Sequence, residues 1–337
     1  GFAGVNEALG GERITVGGTR GINPLEIKKT PDHVLDAVDD LDPWSEQITW
    51  VMTFFETFFS EVANHPLGER SQTLRRAVQE SYKRKGIERD PATHSRESPT
   101  ILDVIDGEKE AVREDAQSLL KDLRPSFRDG GELDNLSNST EFDLDSKVMY
   151  LDLHQEEGAS GRAETSLMMQ VLFNSVYERV KQTDKKVVFV IDEAHYLLND
   201  ASSLDFLETA VRHSRHFDLS LEFVTQTGGE FSLTSEAKTI ANLCSIKILH
   251  RVEEETEKLA EWFDLNDRQI DFVRSAKAGD EEDGYSEALV GVDQEGWFPT
   301  QIIASDHEAE VIDEGEKEAE RKLQRGQEEG KRITADD

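Results

Sequence analysis

Residues Lys185–Asp200 read KKVVFVIDEAHYLLND. Five consecutive apolar residues, Val187 to Ile191, predict a strand buried on both faces, as inside a parallel sheet. Two adjacent carboxylates, Asp192 and Glu193, follow it directly. Open α/β sheets place their ligands at the carboxyl ends of such strands. Burying these charges is costly unless a cation or substrate compensates them. Nucleotide hydrolysis uses this layout: the first acid holds Mg²⁺, usually through water, and the second orients or deprotonates the attacking water. Asp192 and Glu193 thus form a Walker B pattern with a following glutamate. The letters DEAH alone also fit a solvated strand end, and the apolar run before them favours the phosphate–metal role.

Working outward, the α/β rhythm is regular from Lys147 onward. Val148–Leu153 reads as a strand, Arg162–Lys181 as a long helix and Ser202–Arg215 as another helix. Leu219–Thr225 is a strand ending at Gln226, and Ser245–Leu249 is a further strand. Helices are expected over Thr256–Phe263 and Asp267–Ser275, and Ser286–Val292 with Thr300–Ala304 reads as an antiparallel pair turning at Gly296. Strands alternating with helices predict βαβ units and a mostly parallel sheet. Upstream, Asp42-Pro43 opens a helix as N-cap and first residue. The apolar positions Trp44, Ile48, Val51, Met52, Phe55, Phe58, Phe59 and Val62 follow helical spacing and read as core. A second helix runs over Glu69–Lys85 with Gly86 as its stop, and a third over Glu108–Leu123. Pro125–Ser139 reads as a loop. Lys83-Arg84-Lys85 fits a solvated helix end complementing the dipole better than a nucleic-acid contact. Asn23-Pro24-Leu25 is expected to turn the chain outward. The glycines at 10, 11, 17, 18 and 21 read as turns, because none leads into a Gly-Lys-Ser/Thr run.

The chain has 337 residues and a net charge of -33, from 38 Lys+Arg against 71 Asp+Glu. That length accommodates a large α/β domain with an inserted one. The acid excess is spread along the chain and suits a halophilic, solvated surface, so any DNA contact has to come from a local basic patch. A single cysteine, Cys244, excludes an internal disulfide and points to a reducing cytoplasm. No apolar run reaches the ~20 residues of a membrane span. The His residues, among them His195, His213 and His216, lack companions at zinc spacing. After Ser305 the composition is that of a frayed helix or disordered tail.

Several segments together resemble the conjugative type IV secretion ATPases of the TraC/TrbE kind, VirB-type traffic ATPases within the HerA/FtsK superfamily of P-loop motors. They are Leu9-Gly10-Gly11 with Ile22-Asn23-Pro24-Leu25, the helical stretch ending in Gly130-Gly131, Val148–Leu153, Val187–His195, Arg212 with Arg215, Thr225-Gln226, and the close over Ala288–Glu308. The resemblance covers the chain to about residue 312. It implies a recA-like P-loop NTPase core with an all-α insertion: 1–42 a remnant of the core, 43–145 the insertion or lid, 146–305 the core with Walker B and sensor, and 306–337 a charged tail. It implies ATP as substrate with Mg²⁺ at Asp192, Glu193 as base, Gln226 as polar sensor, and Arg212 or Arg215 reaching a neighbour's nucleotide in a homo-hexamer. It also implies secretion-channel partners at the inner face of the cell membrane, and DNA as a further partner.

The family's first strand and P-loop are absent from these residues, so the chain is expected to be inactive alone and to be the later part of a longer or interrupted reading frame. A non-catalytic, P-loop-less subunit that docks on a secretion or translocation complex is the main rival reading. A HerA-like DNA translocase is another. The arginine-rich motif of DEAH helicases is missing.

Overall fold

The structure is a computed structural model. It describes every residue except 1, 17–20, 38–40, 108–113, 129, 142–145, 154–158, 184, 199–200, 226–234, 253–255, 280–283 and 312–337. Among the described residues the helices are α1 (Phe2–Ala8), α2 (Asp32–Ala37), α3 (Pro43–Thr57), α4 (Ser71–Arg84), α5 (Ile101–Gly107) and α6 (Glu114–Phe127). They continue with α7 (Ala159–Val180), α8 (His195–Leu198), α9 (Ala201–His213), α10 (Ser235–Leu243), α11 (Thr256–Phe263) and α12 (Asp267–Ser275). The strands are β1 (Glu12–Val16), β2 (Met149–Leu153), β3 (Val187–Ile191), β4 (Leu219–Phe223), β5 (Ile246–Leu249), β6 (Ser286–Val292) and β7 (Gly296–Ile302). Contacts divide the chain into two units. One comprises Gly1–Ile14, Asp145–Asp152 and Ser245–Asp337; the other comprises Thr15–Leu144 and Leu153–Cys244.

The larger unit is built on the aromatic stripe of α3. Asp42 accepts from Ser45 N at 3.1 Å, and Pro43 occupies the first turn, so an otherwise orphaned donor is satisfied where the helix begins. Trp50, Phe54 and Phe55 are buried, and the helix loosens into a π-turn, Phe58–Val62, that buries Phe58 and Phe59. The Phe58 ring lies 4.8 Å from that of Phe127 on α6, within the range of favourable aromatic pairs. The sequence places a loop from Pro125, but α6 runs through Pro125 to Phe127. Ring packing at Phe127 outweighs the lost N–H, and the loop after it needs Gly131, where a Cβ would sit 2.4 Å from the Pro125 carbonyl oxygen.

The stretch Asn23–Lys29 corrects the expectation of an outward turn, because residues 21–27 are buried. Two of its carbonyls find donors inside, Trp50 Nε1 donating to that of Pro24 at 3.1 Å and Tyr82 Oη to that of Leu25 at 2.7 Å, and the Asn23 side chain donates through Nδ2 to the Pro99 carbonyl at 2.8 Å. Buried carbonyls demand such donors, and α3 and α4 supply them. Glu26, also buried, is held by Arg179 of α7 through bonds of 2.7 and 3.3 Å. Lys28 adds an ion pair at 2.8 Å. Burial raises the Glu26 pKa, but the two cations outweigh it and hold the carboxyl below its ordinary range.

In the same unit β3 and β4 pair in parallel, Val187 opposite Leu219 through Ile191 opposite Phe223. The expectation of burial on both faces is corrected. Side chains alternate along a strand. Phe189 faces α7, its ring stacked 5.8 Å from Phe173, whereas Val188 and Val190 on the opposite face are 62% and 40% exposed.

In the smaller unit β1 pairs with β2, and β5-β6-β7 form an antiparallel sheet. Sheet pairing is therefore mixed instead of mostly parallel. The tight connection from β6 to β7, with Gln294 at φ 66°, permits only an antiparallel return. Gly296 opens β7 instead of sitting mid-turn, and pairs with Val292. In this unit α12 begins with a capping box, Asn266 accepting from Gln269 N while Gln269 reaches back to Asn266 N.

Candidate functional site

The acidic turn leaves β3 at its carboxyl end. Asp192 and Glu193 are the first residues beyond the strand, in a turn that becomes α8. Two backbone bonds clamp this turn to the end of β4: Val224 N to the Ile191 carbonyl and Ala194 N to the Val224 carbonyl, each 2.9 Å. From α7, Ser166 Oγ donates to the Tyr196 carbonyl at 2.7 Å. The apolar residues Ala194, Leu197 and Leu198 are buried beneath the turn. Two strand ends and a helix therefore hold the backbone that carries the two carboxylates.

Glu193 has φ 50°, the left-handed region that costs a non-glycine residue about 1–2 kcal/mol. Held strain of this kind clusters at sites where a side chain has to be aimed. Asp192 Oδ1 accepts from Glu193 N at 2.9 Å, so the first carboxylate is held against the backbone of the second acid. Asp192 is exposed and Glu193 half-buried.

His195 lies 3.2 Å through Nδ1 from Glu193 Oε2, and its ring is 4.2 Å from that of Tyr196. Sequence reasoning discarded His195 as a zinc ligand and assigned it no other task. Positions two apart do not face each other on a helix, so the spacing Glu193-Ala194-His195 carried no signal of this contact.

The remaining residues singled out from the sequence are dispersed. Arg212, near the end of α9, is exposed and paired with Glu208 by bonds of 2.9 and 2.6 Å. Arg215 is exposed and makes no ion pair among the described residues. Burial, then His216 and the neighbouring cations Lys181, Arg212 and Arg215, hold the His213 pKa below its usual value; the end of α9 is thus a concentration of positive charge. Gln226 lies outside the described residues, as do Gly17, Gly18 and the tail after 311. Its neighbour Thr225 follows the β4 end that clamps the acidic turn. Among the described residues no group of three or more His, Cys, Asp or Glu is arranged to hold a metal by itself.

Asp192 nevertheless fits Mg²⁺. One of its oxygens accepts from Glu193 N, and no bond engages Oδ2 among the described residues. A hard cation that keeps several waters and takes one carboxylate plus phosphate oxygens needs no more from the protein.

A mixed α/β unit with a parallel strand pair and two carboxylates just beyond its carboxyl edge is consistent with a P-loop ATPase-like fold. No family model matches the sequence, and no curated protein matches it. Among solved structures the chain is similar to VirB4 of Thermoanaerobacter pseudethanolicus, with a TM-score of 0.72 and 20% identity over 91% of this chain and 80% of that one. It also aligns with the bacterial conjugative coupling protein TrwBdeltaN70, in complex with sulphate, at a TM-score of 0.40 and 13% identity over 89% of this chain and 72% of that one. The fold is that of VirB4, in agreement with the resemblance to VirB-type ATPases drawn from the sequence. No helix among the described residues is long and apolar enough to cross a membrane.

Proposed function

We propose that this chain is the Walker B and sensor portion of an ATP-hydrolysing motor of a conjugative or type IV secretion apparatus. The observation that carries the reading is the acidic turn, with Glu193 at φ 50° directly beyond β3 and clamped to β4. Asp192 would hold Mg²⁺, which when bound neutralises charge developing on the phosphate oxygens. Glu193 accepts the proton of the attacking water, and the strained, clamped backbone restricts where its carboxylate can point. His195 at 3.2 Å orients that carboxylate and accepts no covalent role. Gln226, next to Thr225, is proposed as the polar group that contacts the terminal phosphate. Arg212 or Arg215 is proposed to act across a subunit boundary in a homo-hexamer; an arginine supplied in this way is typically worth roughly 10³–10⁵ in turnover. The helical stretch 43–145 serves as a lid in this reading, and the apparatus sits at the inner face of the cell membrane.

The 337 residues contain no Gly-Lys-Ser/Thr run, so the backbone cradle for the phosphates has to come from outside them. Inspection of the coding DNA upstream for such a run in frame separates this reading from that of a P-loop-less docking subunit. The direct test is Glu193→Gln in the protein that carries the cradle. Turnover falls by roughly 10²–10⁴, the span for removal of a general base, while Mg²⁺-dependent ATP binding is retained. Unchanged turnover refutes the assignment.

A further inference from the structure

The hydroxyl of Ser166 is used outside its own helix. A serine inside a helix commonly bonds the carbonyl one turn before it, yet Ser166 Oγ donates to the Tyr196 carbonyl at 2.7 Å, 30 residues further along the chain. The register of α7 on β3 brings it there. Phe173 of α7 stacks on Phe189 of β3 at 5.8 Å. From that contact Ser166 lies seven residues back on α7, and Asp192 lies three residues forward past the end of β3. Each of these steps covers about 10 Å, so the serine meets the chain where the acidic turn leaves the strand.

Tyr196 passes that contact on to Glu193. Its N–H donates to the Glu193 carbonyl at 3.1 Å, while its own carbonyl takes the serine. Helix α8 has only 4 residues. A helix leaves its last carbonyls without internal donors, and so short a turn stays formed only where outside groups hold it. Glu193, just before α8, has φ 50°, and a conformation of that kind persists only when its surroundings over-determine it. Asp192 Oδ1 and the end of β4 bind the turn on one side. Ser166 binds it from α7.

We propose that Ser166 is a positioning residue for Glu193: by holding the Tyr196 carbonyl it keeps α8 formed and Glu193 in its left-handed conformation, which aims the carboxylate. The consequence for catalysis rests on the assignment of Glu193 as base; the brace itself does not. Without the hydroxyl, Glu193 relaxes toward the right-handed conformation that a residue with a Cβ prefers, and its carboxylate swings away from the strand end. Alanine is a better helix former than serine. A serine that served α7 alone would therefore be improved by Ser166→Ala, and a loosened acidic turn in that variant has the opposite sign.

Amide hydrogen exchange, followed residue by residue by NMR in the full chain and in Ser166→Ala without nucleotide, tests the brace. Exchange at Ala194 and Tyr196 is expected to quicken about five- to tenfold, the effect of losing one hydrogen bond of ordinary net strength. The amides of the β3–β4 ladder and the melting temperature stay as in the parent. In the protein that carries the phosphate cradle, Ser166→Ala lowers kcat by roughly ten- to a hundredfold, the scale for a misplaced reacting group, with the KM for ATP unchanged. Ser166→Thr, which keeps a hydroxyl, exchanges more slowly at Ala194 and Tyr196 than Ser166→Ala. Unchanged exchange at those two amides in Ser166→Ala, or an equal rise throughout the β3–β4 ladder, overturns the brace. Quickened exchange with unchanged kcat overturns the positioning role where Glu193→Gln abolishes turnover. If Glu193→Gln is silent as well, the ATPase assignment is what fails, and the exchange result alone decides the brace.

Discussion

Replacing Arg179 by Met removes one partner of an ion pair that ties α7 to the buried stretch 21–27. Arg179 and Glu26 are 8% and 11% exposed in their side chains, and two hydrogen bonds join them. Breaking a buried pair from one side costs about 3–5 kcal/mol, because the other charge is left without compensation. Lys28 at 2.8 Å and the Thr140 hydroxyl, which donates to Glu26 at 2.7 Å, remain in Arg179→Met, so the lower end, about 3 kcal/mol, is expected. At about 2–4 °C per kcal/mol for a domain of this size, the melting temperature falls by roughly 6–12 °C. The pH dependence carries the sign. Glu26 has a lowered pKa when folded, so its contribution is present above the unfolded value and is lost as pH falls through the folded one. Without Arg179 the strongest opposition to burial is lost, so the Glu26 pKa rises relative to the parent. The stability difference between parent and variant is therefore largest near neutrality and shrinks toward acid. Urea midpoints by tryptophan fluorescence at several pH values measure this. The double change Glu26→Gln/Arg179→Met, which leaves no lone charge, recovers most of the loss. A single-variant loss under about 1 kcal/mol, or a double variant as unstable as the sum of the two singles, refutes the reasoning.

Three further outcomes are expected. Mixing Arg212→Ala or Arg215→Ala subunits with Glu193→Gln subunits partly restores hydrolysis if either arginine acts on a neighbour's nucleotide; no mixture exceeding its components marks them as local surface charges, as the Arg212–Glu208 pair already allows for Arg212. A chain with net charge -33 repels itself, and screening shortens to about 3 Å at molar ionic strength, so the melting temperature rises in molar KCl; a flat or falling value contradicts the halophilic reading. Asp42→Ala removes the cap of α3 and costs about 1 kcal/mol by urea denaturation, with little added by the lost Arg89 contact, because Arg89 is 73% exposed in its side chain; no change indicates that the aromatic packing of α3 sets where it starts.

Local rules carried much of this protein unaided. The helix start at Asp42-Pro43, the strand at Val187–Ile191, and the helices over Thr256–Phe263 and Asp267–Ser275 follow from capping, apolar runs and periodicity, and they stand where the sequence puts them. The adjacency of Asp192 and Glu193 to a strand end is likewise a property of order along the chain. What depends on partners far away in sequence was decided only by the tertiary structure. Asn23–Lys29 reads as a surface turn until Trp50, Tyr82 and Arg179 are seen to satisfy it from α3, α4 and α7. Pro125 reads as a helix end until Phe127 is seen packed on Phe58. An apolar run does not reveal which of its faces is covered, and Val188 and Val190 remain open while Phe189 is stacked. At the candidate site the sequence alone named the two acids, whereas the left-handed conformation of Glu193, the bonds of Ile191 and Ala194 to Val224 and the contact of Glu193 with His195 arise from backbone geometry. Those contacts join residues whose pairing no local periodicity encodes.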